Sequence, residues 1–136
     1  MSGRSSVRAM VLAAVAYVAI GVVSSALARS ADGDQVRLWR LAAWVASAAV
    51  AAAQIWYEHY RVGSSPRPTA LRAAGAGALG AFGLALAANI HWLFATTRAQ
   101  HSPLLALVAW PVITALAAFP VALAAAAVLA RLSRRA

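Results

Sequence analysis

The chain has no cysteine, no lysine and only three acidic residues among 136. Without cysteine there is no disulfide framework, no thiolate metal site and no cysteine nucleophile. Charged side chains make up 11% of the residues, against roughly 25% in an average soluble domain. Hydrophobic residues reach 63%, where roughly 45–50% is usual. These deficits exclude an ordinary soluble globule, a disordered chain and a collagen-like fibre. What they leave is a membrane protein forming a single domain over residues 1–136.

All twelve basic residues are arginine, and the net charge is +9. In a soluble protein that balance would suggest nucleic acid. Here the arginines stand between long apolar runs rather than in a continuous stripe, a placement that fits the sorting of membrane segments by side. No nucleic-acid partner is expected; the lipid bilayer is. Abundant alanine, with arginine in place of lysine, points to a bacterium and hence to the cytoplasmic (inner) membrane.

Four apolar runs predict helices at about 9–28, 38–57, 73–97 and 104–130. Each meets the roughly 17–25 residues needed to cross a hydrocarbon core. Ala9–Ala28, Leu41–Tyr57, Ala73–Phe94 and Leu104–Ala130 contain no Asp, Glu or Arg. A membrane strand is shorter and alternates in polarity, so helix is the remaining solution. Residues 29–40 carry the turn Asp32-Gly33-Asp34. Glu58–Arg72, with Pro66 and Pro68, reads as a loop that cannot be helical throughout. Short connections predict an all-α, up-down-up-down four-helix transmembrane bundle.

Arginine counts set the orientation. Arg4, Arg8, Arg61, Arg67, Arg72, Arg131, Arg134 and Arg135 share one side, while Arg29, Arg37, Arg40 and Arg98 share the other. Eight against four places both termini in the cytoplasm. Trp39, Trp44 and Trp92 then lie near the outer interface, and Trp56, Tyr57 and Tyr60 near the inner one. The first segment has a rival reading as a signal peptide: Arg4 and Arg8, an apolar stretch, then Ala26-Leu27-Ala28 as a cleavage site. The length of the apolar run favours retention.

Few residues carry chemistry. His59 and His91 differ in depth by roughly 25 Å at 1.5 Å per residue, too far to share a haem iron or another metal ion. His91, His101, Asp32 and Asp34 all fall on the outer side, and imidazole with carboxylate suits zinc. No pair among them has ligand spacing on one helix, so a hydrogen-bonded histidine and solvated acids are the simpler expectation. No cofactor is indicated.

Helix 2 carries Arg40, Ser47, Gln54 and Arg61 seven residues apart, with Glu58 one turn beyond Gln54. This polar stripe of Ser47, Gln54 and Glu58 should face the bundle, either lining a polar path or making interhelical hydrogen bonds. Glu58 itself, within Trp56-Tyr57-Glu58-His59-Tyr60-Arg61, is expected to anchor at headgroup level. On helix 3, Ala73, Gly77, Gly80, Leu84, Ala87 and His91 share one face, while Gly75, Phe82, Asn89 and Thr96 share the other. Gly77, Gly80, Gly83 and His91 are the expected packing residues, with one face meeting the bundle and the other a second subunit. In helix 4, Pro111 and Pro120 free the carbonyls of Leu107 and Leu116 and should kink the helix.

No catalytic triad, dyad or phosphate loop is present, so an enzyme is not expected. The expected function is helix–helix association, as a homo-oligomer or with a membrane-protein partner. The alternatives are a channel or carrier for a small solute along the helix 2 stripe, and an outer-face metal or cofactor binder.

Overall fold

The computed structural model describes residues 2–94 and 104–134. Four helices account for nearly all of them: α1 (Ser2–Arg29), α2 (Gly33–Tyr60), α3 (Pro66–Phe94) and α4 (Leu104–Ser133). All four are long and apolar enough to cross a membrane. Leu12, Trp44, Leu105 and Leu116 are each more than two-thirds exposed, as suits a surface facing lipid tails.

The helices outrun the apolar runs, most of all at the arginine-rich end. Hydrophobicity marks only the part inside the hydrocarbon; the backbone goes on making helical hydrogen bonds beyond it. α1 therefore begins at Ser2 and α3 at Pro66. The loop expected over Glu58–Arg72 shrinks to residues 61–65. Pro66 and Pro68 do not keep this stretch from helix. They occupy the first turn of α3, where a backbone N–H has no helical acceptor and a fixed φ is an asset. α4 runs unbroken through Pro111 and Pro120. Residues 95–97, expected at the end of helix 3, lie outside the described residues.

Contacts give the helix directions. A Cβ placed on Gly75 would lie 3.4 Å from Met10 Sδ, one on Gly80 2.7 Å from Tyr17 Cβ, and one on Gly83 2.6 Å from Val18 Cγ2. The two sets of numbers climb together, so α1 and α3 run parallel. Gly77 faces Thr114 and Ala118, whereas Ala70 and Ala73 share a core cluster with Ala122 and Ala126, so α4 runs against α3. α3 is the centre of the bundle, packed on α1 and α4; α2 packs on α1 as extensively as α3 does and touches α3 and α4 lightly. Among the described residues α1 and α4 do not meet.

The core is built mainly of alanine: Ala13, Ala14, Ala70, Ala73, Ala74, Ala76, Ala85, Ala122 and Ala126 are buried, and Ile55 is the large apolar exception. Where lipid tails are as apolar as side chains, helices gain from close backbone approach instead. The glycines of α3 provide it on both faces within one chain. Gly77 and Gly80, expected on one face, meet different helices: α4 and α1. Nothing in the glycine pattern therefore calls for a second subunit.

Gly80→Ala should lower the unfolding midpoint in a detergent titration by the equivalent of about 1–3 kcal/mol, because Tyr17 Cβ sits too close to its own backbone to yield. Gly77→Ala meets only ordinary contact at 3.4 Å and should be neutral or stabilising. Equal effects of the two would refute this account of the seams.

Candidate functional site

The polar chemistry gathers at the arginine-rich end, around one carboxylate. Glu58, in the last turn of α2, is wholly withdrawn from solvent. Its neighbours are brought to it by three different elements. Ser6, in the first turns of α1, donates its hydroxyl to Glu58 Oε1 at 2.6 Å. Ser64, in the α2–α3 loop, donates to Oε2 at 3.2 Å. Arg72, in the second turn of α3, reaches the same Oε2 with Nη1 at 2.5 Å and also donates to Ser64 Oγ at 2.9 Å.

The loop is shaped for this. Gly63 takes a left-handed φ of +67°, open to glycine at little cost. That turn sends the Ser64 N–H back to the Glu58 carbonyl at 3.1 Å. Ser64 thus holds the backbone and the side chain of one residue. The Thr69 N–H and hydroxyl both return to the Ser65 carbonyl, at 3.3 and 3.1 Å, fixing the start of α3 one turn before Arg72.

α4 is tied in separately. The Ser133 hydroxyl gives its proton to the Leu129 carbonyl at 2.9 Å, so the 3.0 Å bond to His59 requires the proton on His59 Nε2. His59 packs edge-on against Tyr60, with ring centroids 4.8 Å apart, and the Trp56 ring lies 5.5 Å from that of Tyr60.

Of the helix 2 stripe, Gln54 and Glu58 are buried, Ser47 is half-buried, and Arg40 and Arg61 are exposed. The headgroup anchor expected of Glu58 is overturned by this burial: an ionised carboxylate out of water must be paired, and three donors here supply that. Ser6, Ser64 and Arg72 went unnoticed in the sequence. The available signal was a lone glutamate and an arginine fourteen residues apart, flanking a short loop. Gln54 faces inward as its spacing predicts. Buried one turn above Glu58, it has no partner for either amide atom.

At the other end, Asp32 holds the N-cap position of α2 without a side-chain cap, and Asp34 lies in its first turn. Both are exposed, as is His91 near the end of α3; His101 lies outside the described residues. No group of three or more His, Cys, Asp or Glu assembles among the described residues. Asn89 is buried and donates to the Ala85 carbonyl at 2.8 Å. An apolar groove of about 620 Å³ lies between α2 and α4, lined by Ala52, Ala53, Ile55, Trp56, Ala125, Val128 and Leu129.

Compared with protein-family models, curated proteins and solved structures, the chain finds no match.

Arg72→Leu should strand a buried carboxylate and destabilise the bundle by about 3 kcal/mol. The double variant Glu58→Leu/Arg72→Leu should cost less than either single change, since no charge is then left unpaired. Additive losses in detergent unfolding would show that the two side chains act independently.

Proposed function

We propose that the chain is a four-pass protein of the bacterial inner membrane, an up-down-up-down bundle with both termini in the cytoplasm. It is not an enzyme; it works through helix–helix association, as a subunit of a larger membrane assembly or as a self-associating bundle. The arginine distribution supports the orientation.

One observation carries the association. α2 is buried only near its end, at Gln54, Ile55 and Glu58; the preceding twenty-one residues hide nothing completely. Along that stretch Leu38, Leu41, Val45, Ala48 and Ala52 are all exposed. Their spacing of three, four, three and four is the heptad seam by which one helix packs on another. Alanine at Ala48 and Ala52 permits close approach. α2 is also the least apolar of the four. A weakly apolar helix with a regular small-residue seam fits a protein neighbour better than lipid.

The absence of native cysteine gives a clean test. Ala48→Cys, carrying a photoreactive maleimide in native membranes, should cross-link to a second copy or to one partner protein. Leu12→Cys, on the exposed face of α1, should not. No product at Ala48, or equal products at both positions, would overturn the proposal.

A second reading has Gln54 in its favour. Two unsatisfied amide atoms in a membrane interior invite a polar guest, as in a carrier for a small neutral or cationic solute passing Ser47, Gln54 and Glu58. Flux into liposomes should then be abolished by Gln54→Leu. Unchanged flux, or none with the unaltered protein, ends this reading.

A further inference from the structure

The groove between α2 and α4 lies near one end of the molecule, and that end has a chemistry of its own. Its lining comes from the last two turns or so of each helix, and every lining residue is apolar. The volume of about 620 Å³ is within the usual range for sites that hold small organic molecules. Just beyond it, toward the helix ends, the His59–Ser133 hydrogen bond spans the two helices and forms a rim. Tyr60 and Trp56, each about half exposed, stand beside that rim with an O–H and an N–H to offer. Arg131 follows Leu129 by two residues, and Arg61 follows Trp56 by five. At 1.5 Å per residue both cations sit within roughly 8 Å of the groove's end along the axis.

The exposed charge at this end of the bundle has a single sign. Arg4, Arg8, Arg61, Arg67, Arg131 and Arg134 are exposed. The only acid at this end, Glu58, is buried and spent on Arg72. Among the described residues Arg72 is the only arginine in an ion pair. An apolar trough thus ends near aromatic hydrogen-bond donors, with the exposed guanidinium groups of Arg61 and Arg131 close by along the axis.

We propose that this groove is a binding site for an anionic phospholipid, with an acyl chain between Ala53 and Val128 and the phosphate at the rim formed by His59, Tyr60 and Arg131. Charge complementarity selects this occupant. A helix of another protein would fill the trough but leave the cations unmatched. A zwitterionic lipid would fill the trough and bring its own cation to the rim. Arginine suits the role because its planar fork donates two parallel bonds to a phosphate. The site rests on the chain spanning a bilayer; it shares only Ala52 with the α2 seam, the rest of which lies toward the opposite end of that helix.

Trp56 lines the groove and serves as the reporter. A variant with Trp39, Trp44, Trp92 and Trp110 changed to Phe leaves it as the one tryptophan. Reconstituted with bromine-labelled phosphatidylglycerol or phosphatidylcholine, its fluorescence should be quenched at about a fivefold lower mole fraction of the anionic lipid, the equivalent of about 1 kcal/mol for one arginine at a membrane surface. Arg131→Gln should remove most of that preference. Ala125→Phe, which fills the trough and leaves the charges in place, should reduce it as well. A matching variant retaining only Trp39, at the other end of α2, should show no preference. Equal quenching of Trp56 by both lipids, the same preference at Trp39, or a preference that survives Ala125→Phe would overturn the proposal. So would protection of Trp56 from both lipids by a cross-linked protein neighbour. Helical content and unfolding midpoint, measured on each variant, confirm that the bundle is intact.

Discussion

A carboxylate with no exposure to water has to be matched by donors, and the end of this bundle is arranged around that requirement. Glu58 draws a hydroxyl from α1, a hydroxyl from the loop and a guanidinium from α3 onto two oxygen atoms. Three helices are thereby tied at one level. The short loop, the left-handed glycine and the proline-led start of α3 all serve to bring Ser64 and Arg72 to the same carboxylate. Ser6 supplies one of the three donors to the buried carboxylate.

Away from that end, close approach takes over from polarity. α3 offers glycine to α1 at Gly80 and Gly83 and to α4 at Gly77. The two seams on α3 are tight, whereas α2 is held chiefly by α1 and by its own last turns. The result is a bundle with a well-packed centre and one loosely held edge. The heptad-spaced face of α2 and the groove beside α4 lie on that edge. The polar network fixes the helix ends, and the loose edge is where the molecule can meet something else.

The helices were legible because lipid permits little else: four long uncharged runs can only be helices, and their number and order follow. Their ends were not, because apolarity stops at the headgroups while helical hydrogen bonding does not. Pro66 shows the difficulty. Preceded by serines, it carried the signature of a helix start, yet beside Pro68 it looked like a loop. The inward placement of Gln54 and Glu58 could be read from their spacing on α2. The partners of Glu58 could not, since Ser6 is fifty-two residues away and nothing in a sequence aligns the two helices vertically. The sharing of glycines between α1 and α4 was hidden for a related reason. A helical wheel gives angles around one axis but not the positions of the neighbours. For Gln54 the sequence left open a polar path or an interhelical hydrogen bond, and the fold supplies burial without the bond.

The central claim is that four helices stand across a membrane with the arginine-rich, Glu58-centred end in the cytoplasm. Cysteine accessibility tests it most directly, since the chain has no thiol of its own. Ser30→Cys and Ser65→Cys place thiols at opposite ends of α2, both at exposed positions. In intact cells an impermeant maleimide should label Ser30→Cys, and should label Ser65→Cys only after the inner membrane is opened. Labelling in the reverse pattern would invert the orientation. Labelling of both in intact cells, or recovery of the protein in the aqueous fraction, would contradict the account at its base.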